Sequence, residues 1–261
     1  MNRLLAAWVV GSLIVVGAAV IGCGPSMHKL RLAQNHRQQA AGLVNKGEFA
    51  LALKELDAAR ELQPNDPELF ALFGLCYFGK KEYGDAEIAF KRAILGYSRS
   101  RDDVEQVPVA QNNLCGMYLE LGNWNGAIEM CEKAIANDYY RTPDRAINNL
   151  GWAYFKRGEP GDLTRAESYF RQAIEANRTF SVPYNNLGIL LMKKKEYAQA
   201  KKTYLQAIKL YPDYAEAYYN VGLAYIALKQ KREGLMAFRT CVKKGGYEKQ
   251  CENALNLYRL K

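Results

Sequence analysis

Histidine is close to missing from this chain: His28 and His36 are the only two in 261 residues, and both lie near the start. A histidine metal centre, or an acid–base pair working near neutral pH, has little to be built from. The six cysteines contain no Cys-x-x-Cys pair, which weakens zinc and thioredoxin-type readings. No Gly-rich phosphate loop, nucleophile elbow or metal motif stands out. Acidic residues are scattered over faces that should be solvated. Catalysis is therefore not supported, and neither a cofactor nor a metal is implied.

What is present is a chain with 24% charged residues and a formal net charge of +9. Its apolar content suffices for a large ordered core. A basic balance suits phosphate, membrane or acidic partners. The export signal described next argues against nucleic acid. The positive charge then reads as solvated surface, or as attraction to anionic lipid near an anchor.

The N-terminus has the form of a signal. Arg3 supplies a basic start, Leu4 to Ile21 is almost wholly apolar and uncharged, and the run ends Val20-Ile21-Gly22-Cys23. The alternative is a transmembrane anchor, because the run sits at the lower length limit for spanning. The small Gly22 directly before Cys23 favours cleavage. Residues 1–22 are therefore read as a signal peptide, Cys23 as the lipidation site, and 23–32 as a short tether. The motif resembles the bacterial lipobox, whose cysteine is diacylated and becomes the new N-terminus. Two or three acyl chains make a durable anchor. Gly24 follows where an Asp would imply retention at the inner membrane. The resemblance thus implies an outer-membrane, periplasm-facing address.

Beyond Cys23 the chain repeats itself. Tyr184-Asn185-Asn186-Leu187-Gly188 returns as Tyr218-Tyr219-Asn220-Val221-Gly222. Each is followed by Ala200 or Gly234, then Tyr204 or Phe238, then Ala207 or Cys241. The step of about 34 residues is that of a helical hairpin repeat. Six copies can be placed, at about 33–66, 67–98, 108–141, 144–180, 181–214 and 215–246. Small residues at position 8 (Ala40, Gly74, Cys115, Gly151) are expected to meet small residues at position 20 (Ala52, Ala86, Ala127, Ala166) where the two helices cross. Large residues at positions 4, 7, 11 and 24 fill the flanks. The pattern is identified as the tetratricopeptide repeat. It implies an all-α, right-handed superhelical solenoid.

Three departures stand out. A polar insert, Arg99 to Val107, separates the second and third copies and reads as a surface loop or helix extension. The fourth copy has about three extra residues in its turn, around Gly158-Glu159-Pro160-Gly161-Asp162, with turn formers at Pro160 and Gly161. After Gly245-Gly246, residues 247–261 read as a capping helix with Cys251, Leu255 and Tyr258 on one face, closing the apolar end of the stack.

Cys76, Cys115 and Cys131 fall at core positions where small apolar residues belong. Cys241 takes a buried slot of the sixth copy, and Cys251 lies on the cap that should pack against it. In an oxidising compartment this pair can form a disulfide. Cys115 with Cys131, across one hairpin, is the less favoured pairing.

Stacked hairpins curve, and their first helices line the concave face. In the tetratricopeptide family positions 2, 5, 9, 12 and 13 point inward. The family pattern implies a groove drawn from Leu75, Phe78, Asn112, Leu119, Asn148, Trp152, Phe155, Asn185, Ile189, Met192 and Tyr219. Arg37 and Val44 of the first copy are membrane-proximal candidates. Asparagine can both donate to and accept from a peptide backbone, and the apolar members suit a hydrophobic helix face or an extended segment. Two bland readings stand beside this one. Position-12 residues can pack on the next hairpin, and Asn at position 5 recurs in these repeats whatever they bind. Lys156 and Lys193 lie at the groove edge without reproducing a carboxylate clamp.

A lipobox, six such repeats and a short cap together resemble the pilotin lipoproteins of type IV pili. The resemblance rests on architecture, length and the extended fourth turn. It implies binding of subunits of the outer-membrane secretin, delivery to that membrane and promotion of their assembly into the pilus exit channel. Two other classes remain open: a scaffold lipoprotein that gathers periplasmic cell-wall enzymes, and a fixed subunit of an envelope complex.

Overall fold

The structure is a computed structural model that describes residues 26–259. Cys23 and the signal segment lie outside the described residues. Within them the chain is all helical. The first hairpin is α1 (Met27–Asn45) with α2 (Phe49–Leu62), and the second α3 (Pro67–Gly79) with α4 (Tyr83–Arg99). The third is α5 (Val107–Glu120) with α6 (Trp124–Ile135), and the fourth α7 (Asp144–Arg157) with α8 (Asp162–Ala176). The fifth is α9 (Ser181–Lys193) with α10 (Tyr197–Leu210), and the sixth α11 (Ala215–Ala227) with α12 (Lys231–Lys244). A last helix, α13 (Glu248–Arg259), lies on α12. Each helix packs on its neighbours in sequence, and first helices also touch first helices, as α5 does α7 and α7 does α9. That is the connectivity of a solenoid.

The hairpins form for local reasons. Asp66 accepts the Glu68 amide at 2.9 Å and Pro67 opens α3, so a capping side chain and a preset φ start the helix together. At the other end, position 15 of every copy adopts a left-handed φ: Gly47, Lys81, Gly122, Gly158, Lys195 and Lys229, all between +63° and +76°. The fold needs this conformation to reverse the chain between helices. Where lysine supplies it, the tertiary packing overrides a local steric penalty.

The crossing of the two helices is set by a ring. A Cβ added at Gly74 would lie 2.5 Å from Phe90 Cδ1, and one at Gly222 would lie 2.5 Å from Phe238 Cε1. Gly151 faces Phe170 and Gly188 faces Tyr204 in the same way. The rings of Phe90, Phe170, Tyr204 and Phe238 are fully or almost fully buried. The small residue at position 8 therefore meets the aromatic face of position 24. The small residue at position 20 is a second neighbour: a Cβ at Gly234 would come within 3.1 Å of the Gly222 carbonyl.

The third hairpin departs from this rule. Cys115 and Cys131 stand at positions 8 and 24 and are joined by a disulfide with a Cα–Cα distance of 5.5 Å. The sequence offered this bond only as the less favoured pairing, behind ordinary core packing; it is the covalent counterpart of the Gly–aromatic contact. A second disulfide joins Cys241 to Cys251 and ties α12 to α13. Cys76 is a buried thiol that desolvation pushes up to a pKa of about 11. The capping helix completes the end of the core by laying Tyr258 on Phe238, with ring centroids 6.0 Å apart.

The two irregular segments are built differently. In the insert, α4 continues to Arg99, Ser100 bonds Asp103, and a 3-10 turn at Val104–Gln106 leads directly into α5. In the fourth turn, Gly158 and Gly161 both take left-handed φ values. Together they bring Asp162 into a fully buried position, where it accepts from Arg157 Nη2 and Nε at 2.9 Å and from the Glu159 amide at 3.0 Å. Arg157 donates a further bond to Asn125 of the preceding hairpin. The extended turn thus forms a charged clamp with Arg157 inside the fourth copy, and Arg157 ties it to the third through Asn125.

Candidate functional site

Position 6 of one repeat reaches position 5 of the repeat before it. Asn149 Nδ2 donates to Asn112 Oδ1 at 3.1 Å, Asn186 to Asn148 at 2.9 Å, and Asn220 to Asn185 at 2.9 Å. Three equal rungs therefore run along the first helices from the third to the sixth copy. They correct part of the sequence reading. Asn148 is 5% exposed and Asn185 0%. Their amides join neighbouring repeats, and Asn185 also donates to Glu216 at 3.2 Å. Asn185 is thereby closed to a peptide, against the family pattern, whereas Asn148 gives its Oδ1 to the rung and still lines an open cavity.

The ladder stops at the third copy, because position 5 of the second is Ala71. There Asn113 is left without a rung, and Asn112 retains its Nδ2 donors. An open cavity of about 420 Å³ lies at this place. Leu75 and Phe78 of α3 form one side. Asn112, Asn113 and Gly116 of α5 form the floor, with Asn148, Asn149 and Arg145 of α7, and Phe180 and Val182 at the start of α9, opposite. Four consecutive first helices meet here, a meeting that the inner face of the curve provides. The cavity brings together Leu75, Phe78, Asn112 and Asn148 among the residues singled out above. Arg145 and Val182 occupy position 2, which the family pattern already marks as inward. Asn113 and Phe180 carry no such signal: Asn113 is left unpaired by the break in the ladder, and Phe180 lies just before α9, outside the inward positions.

Further along, Trp152 and Phe155 stack, with centroids 5.2 Å apart and planes 24° from parallel. Lys156 Nζ stands 5.6 Å from the Trp152 ring and 5.9 Å from that of Trp124, and Lys193 Nζ stands 5.1 Å from Phe155. The cations face ring quadrupoles at the edge of the aromatic pair. Leu119, Ile189 and Met192 are half-buried against the main core, so each offers one side only. The groove is a strip of partly covered apolar side chains with amides and cations at its rim. Such a surface suits an extended or helical protein segment.

At the two ends the sequence reading changes more. Tyr219 sits under the cap, tilted against Phe238 and Tyr247 with centroids 5.9 and 5.8 Å away. It ends the ladder and packs against the capped end of the core. Val44 packs into the core of the first two hairpins. Arg37 is engaged by Asp66 and by Glu68 Oε2 at 3.1 Å, so it presents no free cation to a ligand. It lines a separate cavity of about 620 Å³ with Asp66, Glu68, Tyr97 and Asp103. Burial there raises the Glu68 pKa against the opposing pull of Arg37. Among the described residues no cluster of three or more His, Cys, Asp or Glu could hold a metal ion.

A stack of helical hairpins with an inner trough is a protein-interaction solenoid. Sequence models described as tetratricopeptide repeat match residues 31–103, 118–180 and 216–244, and one described as TPR repeat matches 188–229. The chain belongs to the tetratricopeptide repeat family. Among curated proteins it is 23% identical to human Tetratricopeptide repeat protein 16 over 198 residues, 71% of this chain but 22% of that protein. It is also 23% identical to the type IV pilus assembly protein PilF of Pseudomonas aeruginosa over 164 residues, 63% of this chain and 61% of that one. The chain thus spans less than two thirds of either relative. The solved structure of P. aeruginosa PilF superposes with a TM-score of 0.70 at 18% identity, covering 87% of this chain and 99% of that one. That of PilW, a widely conserved type IV pilus biogenesis factor, gives 0.73 at 17% identity, covering 86% and 99%. At these identities the structural likeness establishes the fold.

Proposed function

We propose that this protein acts in type IV pilus biogenesis as an outer-membrane lipoprotein, anchored through Cys23 and facing the periplasm. It binds a segment of the pilus secretin subunit in its inner groove. The observation that carries the reading is the cavity where the asparagine ladder breaks, with its apolar walls and its Asn112 and Asn113 amides. A peptide backbone satisfies such amides while its side chains enter the apolar walls. Likeness to PilF and PilW along nearly their whole resolved lengths supports the pilus setting. The acyl anchor would hold the bound subunit at high effective concentration beside the bilayer it must enter.

Deletion of the gene is expected to leave secretin monomers and no surface pili. Heat-resistant secretin multimers in the deletion strain would overturn the proposal. Cys23→Ser is expected to shift the protein out of the outer-membrane fraction, and unchanged fractionation would remove the anchor from the reading.

A further inference from the structure

The first helix is longer than its counterparts. α1 has 19 residues, whereas the other first helices have 13 or 14. The excess lies at its N-terminal end, where Met27 to Leu32 precede the repeat register at Ala33. In this overhang Leu30 turns toward the hairpin and Ala33 just beyond it is buried, while Met27, His28, Lys29, Arg31 and Leu32 are exposed. At about 100° per residue these five share one broad arc and Leu30 the other side. Met27 is 67% exposed and Leu32 39%.

Charge on α1 is divided by side. From Ser26 to Gly47 the chain contains no Asp or Glu. The two inward basic residues are met by acids of other elements: His36 Nδ1 by Glu55 at 2.7 Å, and Arg37 by Asp66 and Glu68. Among the described residues, Lys29 and Arg31 have no carboxylate within ion-pair distance. The outward arc therefore combines two free cations with two bare apolar side chains. Only Gly24, Pro25 and Ser26 stand between it and Cys23.

We propose that Met27–Leu32 is a membrane-docking overhang that lies on an anionic bilayer, with Lys29 and Arg31 among the headgroups and Met27 and Leu32 at the acyl boundary. Basic residues beside exposed apolar ones are the pattern that interfacial helices use. The inference rests on the reading of Cys23 as the anchor and adds an orientation to it. An anchor alone leaves the solenoid free to swing, whereas a docked α1 holds the first hairpin against the lipid.

The full lipidated chain is reconstituted in vesicles of phosphatidylcholine alone or of phosphatidylcholine with phosphatidylglycerol. Sedimentation and hydrogen exchange of residues 27–32 are then measured. The first amides of a helix lack intrahelical partners and report solvent access directly. At about 1 kcal/mol per basic residue near an anionic surface, two residues correspond to exchange slowed on the order of 25-fold in the anionic vesicles. The slowing is expected to vanish at high salt and in Lys29→Glu/Arg31→Glu, whose exposed positions leave the helical circular dichroism unchanged. Equal exchange in both lipids with the protein in the pellet would overturn docking and leave the anchor standing. Sedimentation with the anionic vesicles only would support docking without the anchor. Sedimentation with neither would overturn both.

Discussion

Cys115 and Cys131 occupy the two positions that hold a glycine and an aromatic ring in the second, fourth, fifth and sixth hairpins. One bond replaces the volume of a ring. With the bond reduced, the third hairpin holds two small thiols where its neighbours hold a phenyl or phenol face. This hairpin also supplies the floor of the cavity at the break in the ladder.

Reduction is therefore expected to loosen the stack at its centre. A crosslink spanning a sequence separation of 16 contributes about 3 kcal/mol by restricting the unfolded chain. The double substitution Cys115→Gly/Cys131→Phe restores the crossing used elsewhere. It should unfold in reductant at a higher midpoint than reduced wild type and keep only the response due to Cys241–Cys251. A wild-type midpoint indifferent to reductant would refute the stapling role.

The rungs and the gap in the ladder predict opposite behaviours. Asn185→Ala leaves the buried Asn220 donor without its acceptor, at a cost of about 1–3 kcal/mol. It should lower the unfolding midpoint and leave groove affinity per folded molecule unchanged. Asn113→Ala removes no rung, so stability should stay within about 0.5 kcal/mol of wild type, while peptide affinity falls. Calorimetry for one and a binding titration for the other separate the two roles.

The repeat register was legible because it is periodic: small residues, rings and turn positions recur every 34 or so residues. The roles of individual groove residues were less so. Asn148 and Asn185 fit the inward pattern, yet their burial depends on an asparagine one repeat later, a correlation that lies across the stack. Arg37 looked free until the chain brought Asp66 and Glu68 back beside it. The Cys115–Cys131 bond was open in the sequence as the less favoured pairing, and positions 8 and 24 meet in four other copies. The small size of cysteine made ordinary core packing the readier account.

The fourth turn sets a pH response. Arg157 hydrogen-bonds the buried Asp162 carboxylate and holds its pKa below the usual range, outweighing the opposing effect of desolvation. A carboxylate depressed in the folded state contributes stability that is fully present above its unfolded pKa of about 3.9 and is lost as pH falls through the lower folded value. Unfolding free energy should therefore decline in the acid range below about pH 4. Asp162→Asn is expected to destabilise by about 1–3 kcal/mol at neutral pH and to flatten that decline. An unchanged acid limb in chemical denaturation would show that the clamp is not its source.

The aromatic pair Trp152–Phe155 and the cation Arg145 test whether the trough binds at all. Large aromatic anchors dominate interfaces, and truncating one costs about 2 kcal/mol or more, roughly a 30-fold rise in Kd. Trp152→Ala is expected to weaken binding of the proposed secretin segment by about that factor. Because Trp152 is half-buried against the main core, the variant also loses some stability, so it needs a partner control. Arg145 is exposed at the cavity rim, and Arg145→Glu should fold normally yet slow association if the bound segment carries acidic residues. Arg37→Ala serves as the contrast. Its charge is engaged by Asp66 and Glu68, so it should lower stability without changing affinity. Wild-type affinity in both Trp152→Ala and Arg145→Glu would move the interface off the concave face.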